Sequence, residues 1–131
     1  MLIAAADTTS IDTALIFANL ARFPEWQATL RKEIENTTLA SIQKWEHLPK
    51  TAAFMFETIR WNPSLHRSLF HSAPKPFEFG GYSFKKDSLF SFSIAGVAMN
   101  PKYFPDPFTF DPNRFLTEDG ALKEQSRNDA N

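Results

Sequence analysis

At 131 residues, with 43% hydrophobic and 22% charged side chains, the chain has room for one ordinary domain and is too apolar to be disordered throughout. Its 14 basic and 15 acidic residues give a net charge of -1 without a basic stripe, so composition points to neither nucleic acid nor an anionic membrane. The chain has no Cys, which excludes disulfides, cysteine nucleophiles and cysteine-ligated metal centres within these residues.

The first predicted element is a helix over Leu2–Arg22. Ile11, Ala14, Leu15, Ala18 and Ala21 share one face, and Ile3, Ile16, Phe17 and Leu20 make other faces apolar, as in a central, buried helix. Asp7 and Asp12 argue against a membrane span, since each would cost roughly 2.5–3.5 kcal/mol near its centre. The first basic residue is Arg22, so the basic start of a signal peptide is missing. A chain that opens inside a buried helix is expected to lack residues that belong ahead of Met1.

Pro24 and Glu25 suit the first turn of a second helix, striped by Trp26, Leu30 and Ile34, with Arg31, Lys32, Glu33 and Glu35 expected in water and Asn36, Thr37 and Thr38 ending it. A short helical turn is expected around Leu39, Ile42 and Trp45. Pro49 opens a third helix through Trp61, stopped by Asn62-Pro63, with Glu57 and Arg60 on one face.

Beyond Pro63 the pattern alternates. Residues 64–72 predict a strand with Leu65, Arg67, Leu69 and His71 on one side. Phe77–Phe79 and Tyr82–Phe84 read as strands joined at Gly80-Gly81. Residues 89–94 alternate again, and 95–99 suit a helical turn. Residues 101–115 interleave Pro101, Pro105, Pro107 and Pro112 with Tyr103, Phe104, Phe108, Phe110 and Phe115, which predicts an extended meander without helix, pinned by aromatic rings. The polar residues after Leu116 predict a loose tail over 121–131.

Singly, these signals carry little: Asp7-Thr8-Thr9 could be polar residues facing a cavity, and Glu57 with Arg60 a surface pair. Their order is more specific. Residues 4–9 read Ala-Ala-Ala-Asp-Thr-Thr in the first helix, and the second carries Gln27, Leu30, Glu33 and Ile34. Leu48-Pro49, Glu57-Thr58-Ile59-Arg60 and Pro63 follow, then Gly80-Gly81-Tyr82. Last come Phe104-Pro105-Asp106-Pro107, Phe110-Asp111-Pro112 and Arg114-Phe115. This series, from Met1 to about Gly120, resembles the cytochrome P-450 family of haem-thiolate monooxygenases, from its long central helix to the meander before the haem loop.

The resemblance implies a mainly α fold with a small β-sheet, a partial P-450 domain over 1–131: helical over 1–63, strand-rich over 64–94 and a meander over 95–120. It assigns Asp7 and Thr8 to the acid–alcohol pair that delivers protons during oxygen activation, and Ala4 and Ala5 to the groove for haem and oxygen. It assigns Glu57, Arg60 and Arg114 to a buried triad tying the third helix to the meander. His71 stands nine residues before Gly80, where the family has an Arg that bonds a haem propionate, and Arg67 is a second candidate for that role. The alternative for His71 is a half-exposed strand residue. None of His47, His66 and His71 is spaced as an iron ligand. Ala5 replaces a common Gly, Met99-Asn100 an Arg-Asp pair, and Asn113 an acid.

The expected function is that of an oxidoreductase inserting one oxygen atom from O2 into a small organic substrate, with haem and an electron-transfer redox partner in the intact parent. Without a thiolate Cys this chain is expected to bind no haem stably and to be inactive alone. Two alternatives are a segment of a split enzyme, completed in trans by complementary segments, and a haem-free interaction module. The cytoplasm is the default location, with an N-terminal membrane anchor lost ahead of Met1 as the alternative.

Overall fold

The computed structural model describes residues 2–38 and 45–124, and their side chains except those of 2–5 and 45. Helix α1 spans Leu2–Arg22, α2 Pro24–Glu35 and α3 Pro49–Trp61. Pro24 and Pro49 each occupy the start of their helix, where a missing N–H costs nothing. Asn36 closes α2 by donating from its side chain to the Lys32 carbonyl at 2.8 Å. The expected turn around Leu39, Ile42 and Trp45 lies mostly outside the described residues; a 3-10 turn covers Trp45–His47.

Helix α3 is the centre of the fold. Ala52, Ala53 and Phe54 are fully buried, and Ala52 and Ala53 form a small core with Leu122, against which Phe56, Phe115 and Leu116 pack. Helix α1 meets α3 through a buried hydrogen bond from Asn19 Nδ2 to Thr58 Oγ1 at 3.3 Å. Elsewhere α1 is open: Ile11 and Phe17 are exposed. Among the described residues no helix is long and apolar enough to cross a membrane.

The β content divides into two antiparallel pairs: β1 (His71–Ser72) with β4 (Leu89–Phe90), and the hairpin β2 (Phe77–Phe79) with β3 (Tyr82–Phe84). Gly80 and Gly81 turn the hairpin with φ of 59° and 80°, which glycine alone adopts without a steric cost. The strand expected over 64–72 shrinks to its last two residues. At Ser68 the side chain replaces the ladder: its Oγ accepts from Phe92 N at 3.0 Å, and Ser68 N donates to the Phe92 carbonyl at 2.9 Å. The strand over 89–94 is likewise cut short, because Ser93 caps helix α4 (Ile94–Ala98) by accepting from Gly96 N at 2.9 Å.

Two further expectations are corrected. The meander ends in a 3-10 turn, Pro112–Phe115, which starts on a proline and is capped by Asp111 accepting from Asn113 N. Nor is the chain loose from residue 121. Leu122 is buried and bridges Leu116, and Lys123 donates from its backbone to Phe115 O at 2.9 Å and from Nζ to Arg114 O at 2.7 Å. Residues 125–131 lie outside the described residues.

Candidate functional site

The strongest polar constellation forms where α3 faces the meander. Glu57, fully buried, projects from α3 one turn before Arg60. Its Oε2 accepts from Arg60 Nε at 2.7 Å. Its Oε1 accepts from Arg60 Nη2 at 2.8 Å, from the backbone N of Asp111 at 2.8 Å and from Arg114 Nε at 3.1 Å. One carboxylate thus takes two guanidinium groups and a main-chain amide.

Arg60 has donors left for the meander. Its Nη1 reaches Ala98 O and Pro107 O, both at 2.9 Å, and Nη2 reaches Thr109 O at 3.4 Å. All five N–H groups of a guanidinium can be satisfied in this way. Arg114 extends the net to Pro105 O at 3.0 Å and Thr109 O at 3.1 Å. Proline-rich backbone makes few bonds to itself, so its carbonyls turn to these two cations. Trp61 adds a fourth tie by donating Nε1 to Phe108 O at 2.9 Å.

Aromatic packing fixes the same junction. Phe110 stacks on Phe23 with centroids 4.4 Å apart and meets Phe54 and Trp61 edge-on at 5.4 and 5.6 Å. On the other side Phe115 lies 5.8 Å from Phe56. Phe104 carries the Arg60 guanidinium over its ring at 5.3 Å.

A second tie lies between α2 and α3 at Glu33, which the sequence reading places in water. Its Oε1 accepts from Lys50 N at 2.8 Å, and its Oε2 accepts from Thr51 N at 2.8 Å and Thr51 Oγ1 at 2.7 Å. Leu48, the residue before α3, has no capping oxygen, so a carboxylate from the neighbouring helix caps the orphan amides. Local pattern cannot reveal this, because Glu33 is 17 residues from Lys50. Gln27 is also engaged, donating to Leu20 O at 2.6 Å.

The remaining candidates are distributed. Asp7 is exposed and Thr8 half-buried, in successive positions on α1. Ala4 and Ala5 lie on the same helix, with side chains outside those described. His71 is exposed in β1, opposite Phe90. Arg67 shares no strand with it, because the ladder begins only at His71; its guanidinium sits over Phe70 at 5.3 Å. The structure therefore brings Glu57, Arg60 and Arg114 together and leaves Arg67 and His71 on separate local structures.

An open, largely apolar groove of about 630 Å³ lies where α1, α2 and α3 meet, lined by Phe17, Leu20, Leu30, Ile34, Phe54 and Met55. Phe17 remains 66% exposed in it, so an apolar face stands open among the described residues.

The chain is similar to known proteins of one family. The family model described as Cytochrome P-450 matches residues 1–130. The chain is 27% identical over 125 residues to Cytochrome P-450 monooxygenase 113 of Postia placenta, covering 92% of this chain and 25% of that protein. It is 33% identical over 125 residues to Cytochrome P-450 2C3 of Oryctolagus cuniculus, covering 92% of this chain and 26% of that one. A solved zebra fish cytochrome P-450 structure with progesterone superposes with a TM-score of 0.79 at 25% identity, over 91% of this chain and 30% of that one. The chain thus spans about a quarter of the length of these curated relatives.

Proposed function

The chain belongs to the cytochrome P-450 family, and from that premise we propose that it is the stretch of a haem-dependent monooxygenase carrying the proton-delivering pair and the clamp that shapes the meander. Haem supplies the oxygen chemistry of the intact enzyme, in which one atom of O2 enters a small organic substrate and a redox partner supplies electrons. A thiolate-ligated haem needs a Cys sulfur. None of the 131 residues is Cys, and among the described residues no three His, Cys, Asp or Glu side chains gather to hold a metal ion. The residues present do not fit the role of iron ligand; what they supply is scaffold and proton handling.

The observation that carries this reading is the Glu57 clamp. Two arginines and an amide converge on one buried carboxylate and hold a proline-rich segment that has little regular structure of its own. Such a clamp makes sense where the course of the segment, and of whatever follows it, must be fixed to within fractions of an ångström. On α1, Asp7 is exposed and Thr8 half-buried, so the pair runs from the helix surface inward, as a proton-delivering role requires. Adjacent helix positions point about 100° apart, so the two side chains face different directions on α1.

The test uses the haem-loaded enzyme that contains this stretch. Replacing Thr8 by Ala is expected to lower organic product formed per O2 consumed while O2 uptake continues, with the difference released as peroxide. Unchanged coupling would remove Thr8 and Asp7 from proton delivery. A second reading, completion in trans by a separate cysteine-bearing segment, draws support from the open groove between α1, α2 and α3. Restored haem binding on mixing the two segments would favour it.

A further inference from the structure

Two buried side chains join the helix of the proton pair to the helix of the clamp. Asn19 Nδ2 donates to Thr58 Oγ1 at 3.3 Å, and the two residues are 6% and 0% exposed. Their cover comes from this chain itself, so further residues can only deepen it. Thr58 follows Glu57, whose carboxylate is taken by Arg60, Arg114 and the amide of Asp111. The bond therefore runs from α1 to the turn of α3 that the clamp fixes to the meander. On α1, Asn19 stands eleven positions after Thr8. At about 100° per residue the two share a face to within about 20°, about 16 Å apart along the axis. Asp12 lies between them near that face, but its Oδ1 is buried without a hydrogen-bond partner among the described residues.

We propose that Asn19 and Thr58 are positioning residues for proton delivery: their bond sets the rotation of α1 against the clamped α3 and so aims Thr8. The inference rests on the reading of Thr8 as a proton-delivering hydroxyl. Apolar packing is non-directional and lets a helix turn about its axis, whereas a side-chain hydrogen bond weakens steeply once its angle opens. A rotation of α1 by about 20° moves a hydroxyl that lies about 5 Å from the axis by about 2 Å. That displacement is enough to break a hydrogen bond at Thr8. Because Thr8 and Asn19 share a face, a hold at Asn19 fixes the direction of Thr8 three turns away. A bond that merely satisfied two buried polar groups would stabilise the chain without bearing on Thr8, and the two roles are separable by experiment.

The haem-loaded enzyme containing this stretch is compared, at equal haem loading, with Thr58→Val, Thr58→Ser, Asn19→Leu, Thr8→Ala and the double variant Thr8→Ala with Thr58→Val. Thr58→Val and Asn19→Leu remove the bond from its two ends, while Thr58→Ser keeps the acceptor. The first two are expected to lower product formed per O2 by about three- to ten-fold, with peroxide making up the difference, within the range that about 1 Å of misplacement can cost. Thr58→Ser should stay near the unsubstituted value. The double variant should uncouple no further than Thr8→Ala alone, because the bond acts through Thr8. A second readout needs no turnover. In the Cys-free chain, spin labels at Ile11→Cys and Ile59→Cys should report a broader spread of α1–α3 distances with Thr58→Val and an unchanged one with Thr58→Ser. Losses that add in the double variant would overturn the inference, as would an unchanged spread of distances. Full coupling in Thr58→Val and Asn19→Leu, where Thr8→Ala uncouples, would overturn it and leave the role of Thr8 standing. Full coupling in Thr8→Ala would instead remove the proton reading, and this inference with it.

Discussion

The carboxylate of Glu33 takes both the amide and the hydroxyl of Thr51, at 2.8 and 2.7 Å, and so caps α3 from the neighbouring helix. A cap from outside does two things at once: it satisfies orphan N–H groups and sets the angle between α2 and α3. Glu33→Ala should cost about 1–2 kcal/mol, as loss of an N-cap does. Urea unfolding of the chain should show it as a lower midpoint, whereas Glu35→Ala, on the exposed side of α2, should shift the midpoint little.

Removing Glu57 should be far more damaging. Glu57→Ala leaves two guanidinium groups facing one another without their shared anion, and breaking a buried pair in this way costs about 3–5 kcal/mol. Arg60→Lys should recover little, since one ammonium cannot reproduce the fork to Glu57 and the bonds to Ala98, Pro107 and Thr109. Thermal unfolding of Glu57→Ala that matches the unsubstituted chain would remove the clamp from the account.

Two phenylalanines of the meander should behave differently although the sequence spaces them two apart. Phe110 lies among Phe23, Phe54 and Trp61, so Phe110→Ala should cost about 2–4 kcal/mol, near the range for large-to-small core changes. Phe108 is 76% exposed, and its ring can be removed within about 0.5 kcal/mol. Comparison of their denaturation midpoints checks the contrast.

The turn after the meander should respond to acid. The hydroxyl of Thr117 donates to Asp119 and, with backbone amides at Asp119 and Ala121, holds its carboxyl below the usual aspartate value. A lowered pKa means that the bond contributes fully above the unfolded-state value and is lost as pH falls through the lowered one. An NMR titration should show Asp119 ionising at lower pH than an unperturbed aspartate, and Thr117→Val should move it up.

Added haemin should give no thiolate-type signature with this chain under carbon monoxide and reductant, because none of its residues supplies sulfur from Cys. Such a signature from the purified chain would contradict the proposed division of labour between this stretch and the iron ligand.

The sequence by itself determined where the three long helices start and which family the chain belongs to, and the likeness to that family pointed to Glu57, Arg60 and Arg114. Pro24, Pro49 and Asn62-Pro63 mark helix ends by a local rule, the missing N–H of proline, and α2 and α3 begin where those prolines stand. The spacing of Glu57 and Arg60 is equally local, and the order of landmarks up to Arg114 carried the likeness to the family. Tertiary structure decided what depends on a partner distant in the chain. Ser68 exchanges its ladder for a hydroxyl because Phe92 comes alongside, and half-buried Glu33 turns to the bare start of α3 because it lies within reach. Leu122 is buried because the chain folds back on Leu116, so a polar run that reads as a loose tail includes a core residue. Periodicity reports which face of an element is apolar; it holds no record of which backbone groups a distant side chain will satisfy.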